Sequence, residues 1–337
     1  MKIIVHVGAG KTGTTSIQNT LMVNQKKLNS MGVYYFGVIL EYAALIKYEW
    51  QSFPAGKLLN TADERLHREV VDIFETSIPF FENQGIHTLI WSNESFLNHS
   101  KKIIPILQEL GNKYEIEIVV YVRQYEAWIQ SAYMQWGIKH KTYTGKIKTF
   151  REWYSSDKVL FYKKIEPYLQ VFPNKVIIKN MGAQKNLVES FLNVCAITHE
   201  NMQIVKSNES PSVEELLLRS LFNDKFNDKN ILPNLFDKQV LNNSHLLSYT
   251  PSEYISQLMP NVNDLKKVTS DVEQDRNLLN TLLMNAQEEE FVSDTLNPKN
   301  LSVDSDKLII MIAQIIMRQA IEIEQLKQEL QKINKTI

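Results

Sequence analysis

Residues 6–16 read His6-Val7-Gly8-Ala9-Gly10-Lys11-Thr12-Gly13-Thr14-Thr15-Ser16. Residues 2–7 before the loop form a short apolar run ending at Gly8, the pattern of a buried strand. Behind it, Thr14, Thr15 and Ser16 can cap a helix that runs through Ile17, Leu21 and Leu28. Strand, glycine loop and helix in that order open an α/β nucleotide-type fold. The loop's composition suits a phosphate. Glycines let the backbone approach closely and take positive φ. A helix N-terminus supplies N–H groups, and Lys11 a positive charge.

Outward from this loop, strand and helix patterns alternate. Residues 63–81 predict a helix with Leu66, Val70, Ile73 and Phe74 on one face, and 87–91 a strand that leads into Ser92-Asn93-Glu94. Residues 103–110 predict a helix, 115–122 a strand, 125–138 a helix, 159–168 a helical segment and 175–179 a strand. The expected class is α/β, a P-loop-type parallel sheet flanked by helices. Residues 1–205 are the expected core. Residues 206–304, rich in Asn, Asp and Ser, read as a helical and loop-rich extension, with helices over 213–222 and 271–284. Residues 305–337 form a long coiled-coil-like helix. There Ile309, Ile312, Ile316, Gln319, Ile323, Leu326, Leu330 and Ile333 alternate spacings of three and four, a heptad seam with one polar break. Self-pairing into a homodimer and docking onto its own domain are the two readings of that helix.

Composition sets outer limits. The chain has 337 residues, a net charge of −1 and one cysteine, Cys195. That charge gives no reason to expect a nucleic-acid partner. One cysteine builds neither an internal disulfide framework nor a cysteine-rich zinc site. No metal site is expected, because no histidine has a partner at metal-ligand spacing. The apolar stretch 308–317 is too short for a bilayer that needs ~20 residues. No secretory signal pattern opens the chain. The expected location is cytoplasmic, with no transmembrane segment.

The glycine loop is not a Walker A motif, which would want glycine where Val5 stands. Its Lys11-Thr12 step matches the end of that motif, so a P-loop kinase or NTPase stays open as an alternative. Such an enzyme usually carries a metal-supporting Asp at the end of a neighbouring strand. Residues 92–94 offer Ser, Asn and Glu instead. Residues 11–18, Lys11-Thr12-Gly13-Thr14-Thr15-Ser16-Ile17-Gln18, resemble the 5′-phosphosulfate loop of the bacterial sulfotransferases that use 3′-phosphoadenosine-5′-phosphosulfate (PAPS), many of them carbohydrate sulfotransferases. Asn24, Leu28 and the Gly32-Val33-Tyr34-Tyr35 step extend the resemblance. Val119-Val120-Tyr121-Val122-Arg123, followed eight residues later by Ser131, resembles that family's second motif. Asn208-Glu209-Ser210 extends it weakly.

The resemblance implies a PAPS-dependent transfer of a sulfuryl group to a hydroxyl, with 3′-phosphoadenosine-5′-phosphate (PAP) as product and no metal. The implied acceptor is a bacterial surface glycan or glycolipid. Gly10, Lys11, Thr12, Gly13, Thr14, Thr15 and Ser16 would hold the 5′-phosphosulfate, and Arg123 with Ser131 the 3′-phosphate. Lys11 would stabilise the leaving phosphate. Glu94, at a strand's C-terminal end, is the first candidate for the base. His6, at the end of the first strand, is the second. Tyr133 and Trp136 could line an acceptor cleft or belong to the core. His140 with Lys139 and Lys141 could meet an acidic acceptor or form a solvated patch. A non-catalytic interaction protein organised by the C-terminal helix is the third reading of the chain.

Overall fold

A computed structural model describes residues 1–52, 56–206, 213–224, 226–228, 230–232, 251–292, 296–298 and 301–336. By internal contacts the chain forms two compact units, which do not follow the expected boundaries at 205 and 304. The first comprises Met1–Ile129, Ser155–Glu209 and Lys266–Leu296, and the second Gln130–Tyr154, Ser210–Leu265 and Asn297–Ile337. The Asn208-Glu209-Ser210 step lies outside the described residues.

The first unit is built on an open, all-parallel sheet of five strands. In chain order these are β1 (Lys2–His6), β2 (Val33–Tyr35), β3 (Thr88–Ser92), β4 (Glu115–Val122) and β5 (Val176–Asn180). Their spatial order is β2-β3-β1-β4-β5. From β1 the chain fills one side of the sheet with β2 and β3, then the other with β4 and β5. The C-terminal ends of β1 and β4 therefore border the point where connections diverge, the usual ligand position in such sheets. The register is set by Lys2 opposite Thr88 and Glu115, and by His6 opposite Ser92 and Val119. The strands read as nearly continuous apolar runs because helices cover both faces.

On one face, Ile4, Ile90, Val119 and Tyr121 pack with α1 (Thr14–Val23), α2 (Gln25–Ser30) and, later in the chain, Leu187–Val194. The helix expected to run through Leu28 is thus two helices. Asn24 breaks it, its side chain donating to Thr20 O (2.8 Å) and accepting from Gln203 N (3.0 Å). After α3 (Gly56–Asn60), α4 (Asp63–Glu82) and α5 (Ser100–Gly111) pack on each other, burying Phe74 and Leu107 among others. Asp63 and Glu64 in the first turn of α4 suit the helix dipole.

The chain continues through α6 (Tyr125–Ala132), α7 (Phe150–Trp153), α8 (Phe161–Val171) and α9, the Leu187–Val194 helix. Then follow α10 (Val213–Asn223), α11 (Pro251–Leu258), α12 (Val262–Asp271), α13 (Glu273–Asn285) and α14 (Ser305–Thr336).

A buried polar clasp ties α13 into the first unit. Asp275 accepts from the Tyr125 hydroxyl (2.5 Å) and from the backbone N–H groups of Tyr162 and Lys163 (2.9 Å each), capping the start of α8. Beside it Glu126 pairs with Arg276, both almost fully buried, and accepts from Thr269 Oγ1 at 2.7 Å. Removing one partner strands a buried charge. Arg276→Ala is expected to lower unfolding free energy by about 3–5 kcal/mol, read from urea midpoints.

In the second unit the helix expected over 125–138 changes character, because Tyr133–Lys139 is a π-helix. A Cβ on Gly137 would stand 2.3 Å from the Tyr133 ring, so glycine is required there. Tyr133 is fully buried, donates to Lys148 O at 2.6 Å and packs on Phe150 and Trp153. It is a core residue, not an exposed cleft wall. Lys141 is also fully buried, donating to Gly145 O (2.5 Å) and to Phe226 O. It cannot belong to a solvated basic patch with His140. The side chain of Asp304 accepts from Asp306 N (3.0 Å) and Lys307 N (3.1 Å), capping α14. Among the described residues, no helix is long and apolar enough to cross a membrane.

Candidate functional site

The glycine loop joins β1 to α1 at the C-terminal edge of the sheet. Its backbone turns through three positive φ values: Gly8 (30°), Lys11 (68°) and Gly13 (80°). Gly13 is the N-cap of α1, and no side chain caps that helix end. Ser16 and Ile17 donate their N–H groups to Gly13 O (3.0 and 3.3 Å), and by helix geometry those of Thr14 and Thr15 lack intrahelical acceptors. They face the end of the helix where negative charge is favoured. A Cβ on Gly13 would stand 2.0 Å from Leu187 Cδ2. Gly13→Ala therefore combines backbone strain with a clash, and about 2–4 kcal/mol of stability should be lost, visible as a lower melting temperature.

Two side chains hold the loop's carbonyls. Trp128 Nε1 donates to Gly10 O at 2.7 Å, and Arg123 donates to Lys11 O at 3.3 Å. Thr12 is fully buried, and its hydroxyl turns back to Ala9 O at 2.5 Å. With the carbonyls anchored, the loop is held open from outside. Lys11 carries left-handed backbone that lysine adopts only at a cost of roughly 1–2 kcal/mol. Strain of this kind concentrates at functional sites.

Arg123 follows the last residue of β4. It is half-buried, and desolvation lowers its pKa, although a guanidinium stays charged. Among the described residues it has no ion-pair partner. Glu126, the nearest carboxylate in sequence, is taken by Arg276. One of its five donors is used on the loop. Ser131 is buried and belongs to the second unit.

Two buried polar atoms near the loop lack hydrogen-bond partners, Thr14 Oγ1 and His6 Nε2. A Cβ placed on Gly8 would stand 3.0 Å from the first and 3.2 Å from the second, with Glu94 Cα at 3.5 Å. The absent side chain of Gly8 thus leaves a small polar cradle. Unsatisfied buried polar groups are costly and need a reason. A bound anion or its hydrogen-bonding oxygens would supply one.

Glu94 is joined to this cradle through Gln18. The Gln18 amide donates to Ser92 O (2.9 Å), Ser92 Oγ (3.3 Å) and Glu94 Oε2 (3.3 Å). Ser92 Oγ in turn meets His6 Nδ1 at 2.9 Å. The preceding Asn93 is locked by its N–H to His6 O (3.0 Å) and its side chain to Val38 O (3.0 Å). The partly exposed Glu94 is thereby held beside the loop. His6 is fully buried, and desolvation pulls its pKa down to about 3. It is neutral at physiological pH and a weak proton acceptor.

Sequence reasoning brings Lys11, Thr14, Glu94, His6 and Arg123 to one sheet edge, and the first unit does place them there. It misses Gln18, Trp128 and Lys164. Gln18 follows Thr14 by four residues and so shares its helix face, a signal that could have found it. Lys164 Nζ lies 5.8 Å from the Trp128 ring centroid and donates to Lys158 O at 2.7 Å. Burial pulls its pKa to about 8, opposed by Asp275 and Asp157. No sequence pattern marked it.

No protein-family model matches the chain, and neither a curated protein nor a solved structure matches it significantly.

Proposed function

We propose that this protein is a P-loop-type sulfotransferase that moves a sulfuryl group from PAPS to an acceptor hydroxyl. The observation that carries the reading is the cradle at Gly8, where the start of α1, the unpartnered Thr14 hydroxyl and His6 Nε2 meet, in the same loop that carries Lys11. Those groups suit a 5′-phosphosulfate, held by the loop residues Gly10, Lys11, Thr12, Gly13, Thr14, Thr15 and Ser16, of which Thr12, whose N–H and hydroxyl both donate to Ala9 O, shapes the loop. Arg123, cationic and without a carboxylate partner among the described residues, suits the second phosphate that ATP lacks. Ser131 enters through the resemblance in sequence.

In the transfer, the acceptor oxygen forms a bond to sulfur while the bond from sulfur to the bridging phosphate oxygen breaks. Glu94 accepts the acceptor's proton, and PAP departs carrying the electron pair. Lys11 stabilises the charge on the leaving phosphate, and positioning supplies much of the remainder. Glu94 is preferred to His6 as base because it is partly exposed and held by Gln18, whereas His6 is buried and hard to protonate. The acceptor class, a carbohydrate of a surface glycan or glycolipid, rests on the sequence resemblance.

A kinase or NTPase is the second reading, favoured by the Lys11-Thr12 step. In that motif the hydroxyl after the lysine meets magnesium, but Thr12 directs its hydroxyl to Ala9 O. Binding of PAP and of ATP, each with and without magnesium, tests the proposal. Metal-independent binding of PAP supports sulfuryl transfer, and magnesium-dependent preference for ATP supports the alternative. The C-terminal helix α14 we read as a self-pairing coiled coil, since Ile309, Ile312, Ile316, Ile323, Leu326 and Leu330 of its seam are exposed.

A further inference from the structure

Helix α14 has 32 residues, about 48 Å at ~1.5 Å per residue. Its apolar seam is largely in solvent: Ile309 is 63% exposed, Ile316 57%, Ile323 52% and Leu326 58%. An apolar stripe of that length on a lone helix calls for a partner. The occupant can be chosen from the heptad itself. With Ile309, Ile316, Ile323 and Leu330 at a, the d positions are Ile312, Gln319 and Leu326. Position g then holds Leu308, Ile315, Glu322 and Glu329, and position e holds Ala313, Ala320, Lys327 and Asn334.

In a parallel, in-register pair, a g residue faces the e residue five positions later on the other chain. Glu322 then faces Lys327 of the second copy, twice per dimer by symmetry. The earlier heptads pair apolar g residues with alanine at e, widening the dry seam where no charges stand. An antiparallel pair would instead set g against g and e against e. With the two seams fully overlapped, that sets Glu322 beside Glu322 of the other copy and leaves Lys327 near alanine, so neither meets an opposite charge. Gln319 stands alone as the polar d residue, and in-register pairing places it opposite its own copy. A single polar seam position is a known register device. The seam runs for more than three heptads, enough for a coiled coil.

We propose that α14 pairs in parallel and in register with the α14 of a second copy of the chain. This rests on the coiled-coil reading of the helix and is independent of sulfuryl transfer.

The test uses the full chain. Sedimentation equilibrium at micromolar concentration is expected to give a dimer, and Ile316→Asp a monomer whose circular dichroism outside α14 is retained. Orientation is read by cross-linking under mild oxidation, with Ile312→Cys and Leu330→Cys variants prepared separately and mixed. Parallel pairing predicts that each variant forms disulfide-linked dimers with itself. Glu322→Lys should weaken the dimer about tenfold, and combining it with Lys327→Glu should restore it. A monomeric wild-type chain would overturn both the proposal and the coiled-coil reading. A dimer unaffected by Ile316→Asp would likewise overturn both, whereas one that cross-links only in the Ile312→Cys and Leu330→Cys mixture would overturn the parallel pairing alone.

Discussion

Lys11→Gly is expected to abolish turnover while leaving the fold intact. Lys11 holds a φ of 68°, a conformation that glycine takes without penalty. Relief of about 1–2 kcal/mol of strain is set against a similar entropy cost from the more flexible glycine, so the melting temperature should scarcely move. Activity behaves otherwise. The substitution removes the ammonium group that the proposed mechanism sets against the leaving phosphate, and losing one such group lowers kcat about 10²–10³-fold or more. A structural role for Lys11 predicts the opposite pattern, with altered stability and retained activity. Measuring kcat and melting temperature on the same preparation separates the two.

Glu94→Gln is the second large effect. Glutamine keeps the size of the side chain but cannot take the acceptor's proton. Loss of a general base lowers kcat about 10²–10⁴-fold, and donor affinity should stay near wild type because Glu94 is not among the phosphate-holding groups. Gln18→Ala should produce a smaller fall in kcat by releasing Glu94 from its side-chain hydrogen-bond partner among the described residues. The pH profile supplies a further check. His6 is held neutral down to about pH 3, so it adds no inflection near the ordinary histidine value. If His6 were the base instead, Glu94→Gln would leave kcat unchanged.

Much of the sheet is legible in sequence because its strands are covered on both faces. The apolar runs at 2–7, 87–91, 115–122 and 175–179 correspond to β1, β3, β4 and β5 within one or two residues. The edge strand β2 is only three residues long, too short for a periodic signal. The break at Asn24 depends on a bond to Gln203, 179 residues away, which no local pattern carries. The π-helix arises where Gly137 admits the Tyr133 ring, a packing event rather than a period.

The site follows the same division. Lys11, Thr14, Arg123 and Glu94 could be picked out in sequence because each lies in or beside a turn that follows a strand, where the residue type has few other uses. For Gln18 the sequence carries only its helix face, shared with Thr14, because its role depends on Ser92 and Glu94 arriving from β3. The clustering of 266–296 with the sheet was also hidden, because the Asp275 and Arg276 clasp acts across long separations in sequence.

The most direct test of the central claim is the binding of PAP to the full chain, followed by calorimetry beside ATP, with and without magnesium. The account predicts micromolar affinity for PAP, unchanged by magnesium and lost in Arg123→Ala, with ATP bound more weakly under every condition. Preferential, magnesium-dependent binding of ATP would contradict it.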